Sequence, residues 1–409
     1  MKILQLTDSY PPAIGGMERH VQTLSHELVR RGHQVTVLTI GEVESYLDHG
    51  VRVVRVAGWQ RSLRRFGADL SHEFHPPAPD PVVVAALRAL VRDDRPDVVH
   101  GCRWIFYSYV AAKRSGWPPL VLTLHDYGLQ CIKKTNVFED SACTGPAVGK
   151  CVGCASGQYG PLIASMLVSG RVSCRPLLGR VDQFIAISTS VAVAAHSSLP
   201  AGAAIEVVPS FINRRLLDAG DQRPTIAPLI DTESYLMFVG TLGRHKGCDV
   251  LLAAHRRMRR RVPLLAVVAG PGEAPRSGED VVVVRDAEHA QVMAAWRRAA
   301  VAVVPSRWAE PFGQVAVEAM AAGRPVVASD TGGLADVVLA GVTGLLVPAG
   351  DADALALALD DLVADPGKGQ AMGAAGRVRA GEFTADAVVP RIEQIYRAML
   401  SRAEVSRSE

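Results

Sequence analysis

The chain has 409 residues, 48% of them hydrophobic and 5% aromatic, with a formal net charge of +3. That length carries two or three domains with cores of their own, and so small a charge excludes nucleic acid as an expected partner. Scarce aromatics leave Ala, Val and Leu to fill the interior, which suits α/β layers with parallel strands. In chain order, residues 2–7 read as a buried strand, followed by the Pro- and Gly-rich loop S-Y-P-P-A-I-G-G-M. Residues 18–31 are helical by spacing and Gly32 stops them; residues 34–40 are the next strand. Gly15 and Gly16 thus stand at a helix N-terminus, where a phosphate or sugar can approach bare backbone. The dinucleotide fingerprint G-x-G-x-x-G is absent.

Residues 51–57 form a strand, and 58–81 an irregular connection with the basic run R-S-L-R-R. A helix over 81–92 and a strand over 96–100 follow, then a strand over 120–124 that ends in His125-Asp126. A histidine at the carboxyl end of an interior strand is a site candidate, although a plain structural histidine fits the pattern too. Next come Cys131, Cys143, Cys151 and Cys154, spaced C-x11-C-x7-C-x2-C among polar residues without a core of their own. A tetrahedral structural zinc would order such a loop; reduced or redox-active thiols are the alternative. Residues 159–175 read as a helix, 181–187 and 205–209 as strands.

The second half opens with a strand over 235–239 that empties into G-T-L-G-R-H-K-G, and a helix over 248–260 follows. Lys246 and Arg244 lie in that loop, ahead of a helix start. The run H-R-R-M-R-R-R is the solvated face of the helix or, less simply, a contact for anionic lipid. Strands over 264–269 and 281–284 and a helix over 290–298 lead to the stretch V-V-P-S-R-W-A-E-P-F-G-Q-V-A-V-E-A-M-A-A-G-R-P-V-V-A-S-D-T-G-G. It reads as strand, loop, helix, strand, loop, with both loops at carboxyl ends of adjacent strands, where open α/β sheets bind ligands. Glu310 sits in the loop and Glu318 on the helix that starts near Gly313. At ~1.5 Å per residue, Gly313 to Glu318 covers about 7–8 Å, the length of a diphosphate. A ligand with phosphates at the helix start and hydroxyls at both ends fits, since carboxylates accept paired hydroxyls. A helix with Asp351 near its cap, a last amphipathic helix over 387–400 and a frayed tail over 402–409 complete the chain.

The segments E-P-F-G-Q-V-A-V-E, A-A-G-R-P-V-V-A-S-D-T-G-G and G-V-T-G-L-L-V-P-A-G-D resemble the donor site of the retaining glycosyltransferases of family 4, which have the GT-B fold. The opening P-P-x-x-G-G-x-E and the strand end H-D-Y match the same family. The resemblance implies two Rossmann-like, doubly wound parallel-sheet α/β domains facing each other across a cleft. These would be an acceptor-side domain over 1–212 with the cysteine loop 131–154, a donor-binding domain over 213–383, and a terminal helix over 384–409 that returns to the first. It implies transfer of a hexosyl unit from a nucleotide-diphosphate sugar to a hydroxyl acceptor, small or lipid-linked, with no cofactor and no catalytic metal. The acceptor would be part of a natural-product, cell-envelope or lipid glycoside.

By that resemblance Glu310, His125 and Lys246 are catalytic. Gly15, Gly16, Arg244, Lys246, Glu310, Pro311, Phe312, Gly313 and Glu318 hold the donor, with Glu318 on the ribose, and Asp126 lies on the acceptor side. The chain departs from the family pattern at Thr241, where an Arg is frequent, and at P-S-F-I-N over 209–213. A sugar-nucleotide epimerase on the same fold and a non-catalytic partner subunit are the rival readings. No stretch reaches roughly 18 uncharged apolar residues, so a cytoplasmic protein is expected, with peripheral contact at the inner face of the membrane left open. Residues 1–200 carry 21 Lys and Arg against 16 Asp and Glu, compatible with an anionic acceptor.

Overall fold

The computed structural model describes residues 1–12, 15–59, 75–139, 141–218, 226, 234–270, 272, 274–278 and 280–408, with side chains through residue 402. The basic run R-S-L-R-R and most of the inter-domain stretch after residue 218 lie outside the described residues. The chain divides into two units, one formed by Met1–Pro209 with Val388–Glu409 and the other by Ser210–Ala387.

In unit 1 the elements are β1 (Lys2–Thr7), α1 (Gly16–Arg30), β2 (Gln34–Ile40), β3 (Glu44–Asp48), β4 (Val51–Val56), α2 (Pro81–Asp94), β5 (Val98–Cys102), α3 (Phe106–Ala112), β6 (Leu120–Leu124), β7 (Val137–Phe138), β8 (Ser141–Ala142), α4 (Val148–Tyr159), α5 (Pro161–Ser173), β9 (Gln183–Ala186), α6 (Thr189–His196) and β10 (Ile205–Val207). Eight strands make one sheet in the order β10-β9-β6-β5-β1-β2-β4-β3. All pairings in it are parallel except β3 with β4. Every residue of β5 and β6 is buried, as parallel strands covered on both faces require. The order reverses between β1 and β5, which opens a crevice at their carboxyl ends.

Unit 2 contains α7 (Arg215–Asp218), β11 (Leu236–Thr241), α8 (Cys248–Arg257), β12 (Leu264–Ala269), β13 (Val281–Arg285), α9 (His289–Trp296), β14 (Val301–Val304), α10 (Gln314–Ala321), β15 (Val326–Ser329), α11 (Leu334–Val337), β16 (Gly344–Val347), α12 (Ala352–Ala364) and α13 (Pro366–Ala380). Its six strands run β13-β12-β11-β14-β15-β16, all parallel. Counted from β11 this is the doubly wound order 3-2-1-4-5-6, with its switch between β11 and β14. Leu236, Phe238, Val301 and Val303 pack with Leu251 of α8 and Leu355 and Leu359 of α12 in one core. Each such side chain contributes about 1.5–3 kcal/mol by leaving water.

Several expectations need correction. The helix expected over 159–175 is two, because Gly160, at φ 76° and followed by Pro161, separates α4 from α5. The cysteine segment is not a bare loop: it folds as the β7–β8 hairpin and as α4, which carries Cys151 and Cys154. The last helix, α14 (Ala385–Ser408), continues through the tail that was expected to fray. Asp351 caps α12 by accepting from the backbone N–H groups of Asp353 and Ala354. Among the described residues no helix is long and apolar enough to cross a membrane.

The part of α14 that belongs to unit 1 is tied to its sheet. Tyr396 Oη lies 2.6 Å from His100 Nδ1, and His100 Nε2 lies 2.6 Å from Thr123 Oγ1. Glu393 Oε1 meets His33 Nε2 at 2.6 Å. Burial lowers His100 to a pKa of about 4, and His75 likewise, while burial and then His100 lower His20 to about 3. All three are neutral in the folded protein and take up a proton near pH 6.5 once unfolded, so the unfolded state binds more protons below that pH. Their contribution is complete above pH 6.5 and is lost as pH falls toward 4. Urea unfolding followed by tryptophan fluorescence should therefore show a steep drop in stability between pH 6.5 and 4.5, with an upper bound of about 3 kcal/mol per histidine. A flat profile across that window would contradict the assignment.

Candidate functional site

In unit 2 the loops after β11 and β14 meet at the switch point. A short turn, Arg244–Lys246, follows β11 and carries Lys246. Its Nζ donates to both carboxylate oxygens of Glu310, at 2.9 and 2.8 Å. Ser306 Oγ (3.2 Å) and Trp308 Nε1 (2.9 Å) donate to Glu310 Oε2 as well. Burial pushes the Glu310 carboxyl up, but the charge and hydrogen bonds of Lys246 outweigh it, helped by Trp308 and Ser306, and hold the group below the usual carboxylate range. Lys246 also stands 5.3 Å from the Trp308 ring centre, within cation–π reach.

The loop bearing Glu310 is locked from the next one. Gly333 N donates to the Glu310 carbonyl at 2.6 Å, and Gly332 sits at φ 61° with its α-carbon so close that a Cβ would lie 2.4 Å from Glu310 N. Only glycine fits there. Phe312 is buried with its ring edge against Phe383, 5.6 Å between centres. Gly313, at φ 101°, is the N-cap of α10, so the first N–H groups of that helix face the loop of Pro311 and Phe312. On α10, Glu318 is buried and its Oε1 pairs with His289 Nε2 at 2.9 Å. His289, the first residue of α9, was not picked out by the sequence; it follows a strand run at a helix start, the one signal that could have flagged it. Arg244 is exposed on the same turn as Lys246, and Thr241 ends β11 exposed.

Gly15, Gly16, His125 and Asp126 belong to unit 1. Gly15 caps α1 in an extended conformation, and a Cβ there would lie 2.1 Å from Glu18 Oε2. The His125 ring contacts His20 edge to face, 4.6 Å between centres, and its Nε2 has no hydrogen-bond partner among the described residues. Burial, then the neighbouring His20, His100 and Arg103, drive its pKa well below the usual value, so it is a neutral imidazole at pH 7. Asp126 accepts through Oδ1 from Gly128 N at 2.8 Å, a turn-forming bond.

The zinc expectation for Cys131, Cys143, Cys151 and Cys154 finds no support. The four line one small cavity. However, no three Cys, His, Asp or Glu among the described residues are gathered as a metal would need. Cys143 Sγ is turned to the Gly145 carbonyl and Cys154 Sγ to that of Val137. All seven cysteines are free thiols.

Residues 14–216 match the family model described as Glycosyltransferase Family 4, and residues 224–379 that described as Glycosyl transferases group 1. A D-inositol 3-phosphate glycosyltransferase of Catenulispora acidiphila is 30% identical over 74% of this chain and 72% of its own length. The chain belongs to glycosyltransferase family 4. Glycogen synthase of Mycobacterium tuberculosis is 29% identical over 97% of this chain and 95% of its own. Among solved structures, sucrose-phosphate synthase from Thermosynechococcus elongatus superposes with a TM-score of 0.72 at 22% identity, covering 98% of this chain and 99% of that one. The two doubly wound units are those of the GT-B fold, and the chain is a glycosyltransferase.

The ion pair at the switch point also makes a stability prediction. Lys246→Met leaves Glu310 charged without its cation and should cost about 2–3 kcal/mol, at the lower end for a pair of this burial. Adding Glu310→Gln should recover most of that loss. Urea denaturation midpoints of the two variants check it; a double variant no more stable than the single would show that Glu310 does not depend on Lys246 for its charge.

Proposed function

We propose that the chain moves a hexosyl unit from a nucleotide-diphosphate sugar to a hydroxyl acceptor with retention at the anomeric carbon and without a catalytic metal. The observation that supports this most is Lys246 bound to Glu310 at the switch point of the donor-side sheet, beside the N-terminus of α10. Lys246, Arg244 and the first N–H groups of α10 would take the negative charge that develops on the diphosphate as the anomeric C–O bond breaks. They act as fixed positive groups in place of a metal ion. Glu310, with the backbone of Pro311, Phe312 and Gly313, would hold hydroxyls of the transferring sugar through Oε1, which receives Lys246 alone, while Oε2 is taken by Lys246, Ser306 and Trp308. Glu318 would accept ribose hydroxyls, oriented by His289.

In unit 1, Gly15 and Gly16 offer bare backbone to the donor. His125, neutral and with an unpartnered Nε2, suits hydrogen bonding to a sugar hydroxyl rather than proton donation. The acceptor hydroxyl would attack the face the diphosphate leaves, its proton passing to a leaving phosphate oxygen. That route needs no protein base, and Asp126, already engaged by Gly128 N, serves as the fallback. The acceptor belongs to a natural-product, cell-envelope or lipid glycoside. The names of relatives above add polymeric glucan and phosphorylated polyols or sugars as precedents. The protein would work in the cytoplasm.

Two measurements test this. Turnover should persist in excess EDTA; loss on brief chelation with recovery on adding Mg2+ or Mn2+ rules the proposed mechanism out. Glu318→Gln should raise the donor KM roughly tenfold with kcat within a few-fold, because a ribose contact is alike in ground and transition states. Glu310→Gln should instead lower kcat by roughly one to two decades, the equivalent of about 1.5–3 kcal/mol for a hydrogen bond to a charged group. The opposite pattern reverses the orientation of the donor.

A further inference from the structure

The switch point of unit 1 carries charges that the sequence did not single out. Asp8 directly follows β1 and Arg103 directly follows β5, the two strands between which the order reverses. Lys134 comes from the segment before the β7–β8 hairpin and reaches the same place. Its Nζ lies 4.0 Å from Asp8 Oδ2 and 4.2 Å from the centre of the Trp104 ring. Arg103 (φ 62°) donates through Nε to Met17 Sδ, and its Nη2 is 4.0 Å from Glu18 Oε1. Arg103 and Lys134 line one small cavity together with Thr123, His125 and Asp126.

The hydrogen-bond balance here is one-sided. Each carboxylate is already engaged: Asp8 Oδ1 by Ile105 N at 2.9 Å, Glu18 Oε1 by Ser9 Oγ at 2.5 Å, Asp126 Oδ1 by Gly128 N. The cations are not. Among the described residues, the Lys134 ammonium makes no hydrogen bond, and the Arg103 guanidinium makes none beyond Nε. A lysine has three donors and an arginine five; with side chains 17% and 27% exposed, Lys134 and Arg103 leave most of theirs to solvent rather than to protein acceptors. Asp8, 1% exposed, leaves Oδ2 without a hydrogen-bond partner.

Resting on the acceptor reading above, we propose that Arg103 and Lys134 seat a phosphate group borne by the acceptor, so that the substrate class is a phosphate monoester of a sugar or polyol. A phosphate supplies the oxygens that both cations lack, and Arg103 can take two of them at once. Three further facts agree. Lys134 is lowered by burial first and by the like charge of Arg103 second, a cost an anion between them removes. Burial raises Asp8 against the pull of Lys134 and Arg103, the direction that weakens its repulsion of a phosphate. Neutral His20 and His125 add no charge of either sign.

The test is calorimetric titration of the full chain with inorganic phosphate, glucose 6-phosphate, glucose and glucuronate, with UDP titrated separately. Glucose 6-phosphate should bind at least tenfold tighter than glucose and glucuronate. Arg103→Gln and Lys134→Met should each weaken it and inorganic phosphate tenfold or more while leaving UDP within twofold; Lys246→Met should do the reverse. If Lys134→Met does not fold, Arg103→Gln, which sits at a partly exposed side chain, carries the comparison alone. Phosphate binding abolished by Lys246→Met and untouched by Arg103→Gln, no phosphate binding at all, or tighter glucuronate than glucose 6-phosphate would each overturn the proposal. Those results leave the donor reading standing as long as UDP binds. Failure of UDP to bind wild-type protein would instead strike the donor reading, with the phosphate result still legible by itself.

Discussion

A carboxylate withdrawn from water has to be kept charged by its neighbours, and much of unit 2 is arranged around doing so for Glu310. Burial alone would neutralise it. Lys246 from the loop after β11, and Ser306 and Trp308 from the loop after β14, reverse that. They reach Glu310 because β11 and β14 are neighbours at the one position where the winding of the sheet changes direction. Elsewhere in such a sheet consecutive loops pass to the same side, and two of them do not converge on one carboxylate. The glycines at 332 and 333 then let a third loop, after β15, press against the Glu310 backbone. A residue with a side chain at 332 would push that loop away and loosen the group that everything else orients.

Unit 1 repeats the topology with different chemistry. Its switch lies between β1 and β5, and the residues just past those strands are Asp8 and Arg103. Here the cation is not bonded directly to its carboxylate: Lys134 stands 4.0 Å from Asp8, outside hydrogen-bond distance. The tight pair in unit 2 joins its members directly, Lys246 to both oxygens of Glu310. The looser arrangement in unit 1 leaves most donors of Arg103 and Lys134 without a protein acceptor, on side chains that are partly exposed.

What could be read beforehand follows from how local each feature is. Apolar runs such as Val98–Cys102 and Val301–Val304 announce buried parallel strands, because a strand covered on both faces has no polar positions to alternate. Glu310 and Glu318 were visible because the loop and the helix holding them are contiguous, and helix geometry converts their separation into a distance. His289 was not, since nothing within α9 says that its imidazole meets a carboxylate on another helix 29 residues later. Arg103 and Lys134 were missed for the same reason; their common neighbour Asp8 is almost the whole length of the unit's first half away in sequence. The cysteine segment misled in the other direction. Its spacing resembled ligand spacing, but spacing constrains sequence separation alone, and the fold turned two of the thiols toward carbonyl oxygens instead of toward each other.

The same segment carries a second feature, from which its cysteine spacing draws attention away. Lys134 lies three residues after Cys131, inside the stretch for which structural zinc and reduced or redox-active thiols are the two sequence readings, and its backbone is fixed by the turn in which Lys134 N donates to the Cys131 carbonyl at 3.0 Å. Tyr127 N in turn donates to the Lys134 carbonyl at 3.4 Å, which ties the segment back to the end of β6, two residues after His125. The segment after H-D-Y therefore needs no metal to explain its position: it is hydrogen-bonded to the strand end it follows, and Lys134 sits over the Trp104 ring while Trp104 Nε1 donates to the Gly128 carbonyl. Each contact orders the loop by delivering a cation to the switch point of the sheet. Structure in this insertion and charge at the switch point are thus one arrangement, because the turn that fixes the loop also brings the Lys134 ammonium to 4.0 Å from Asp8.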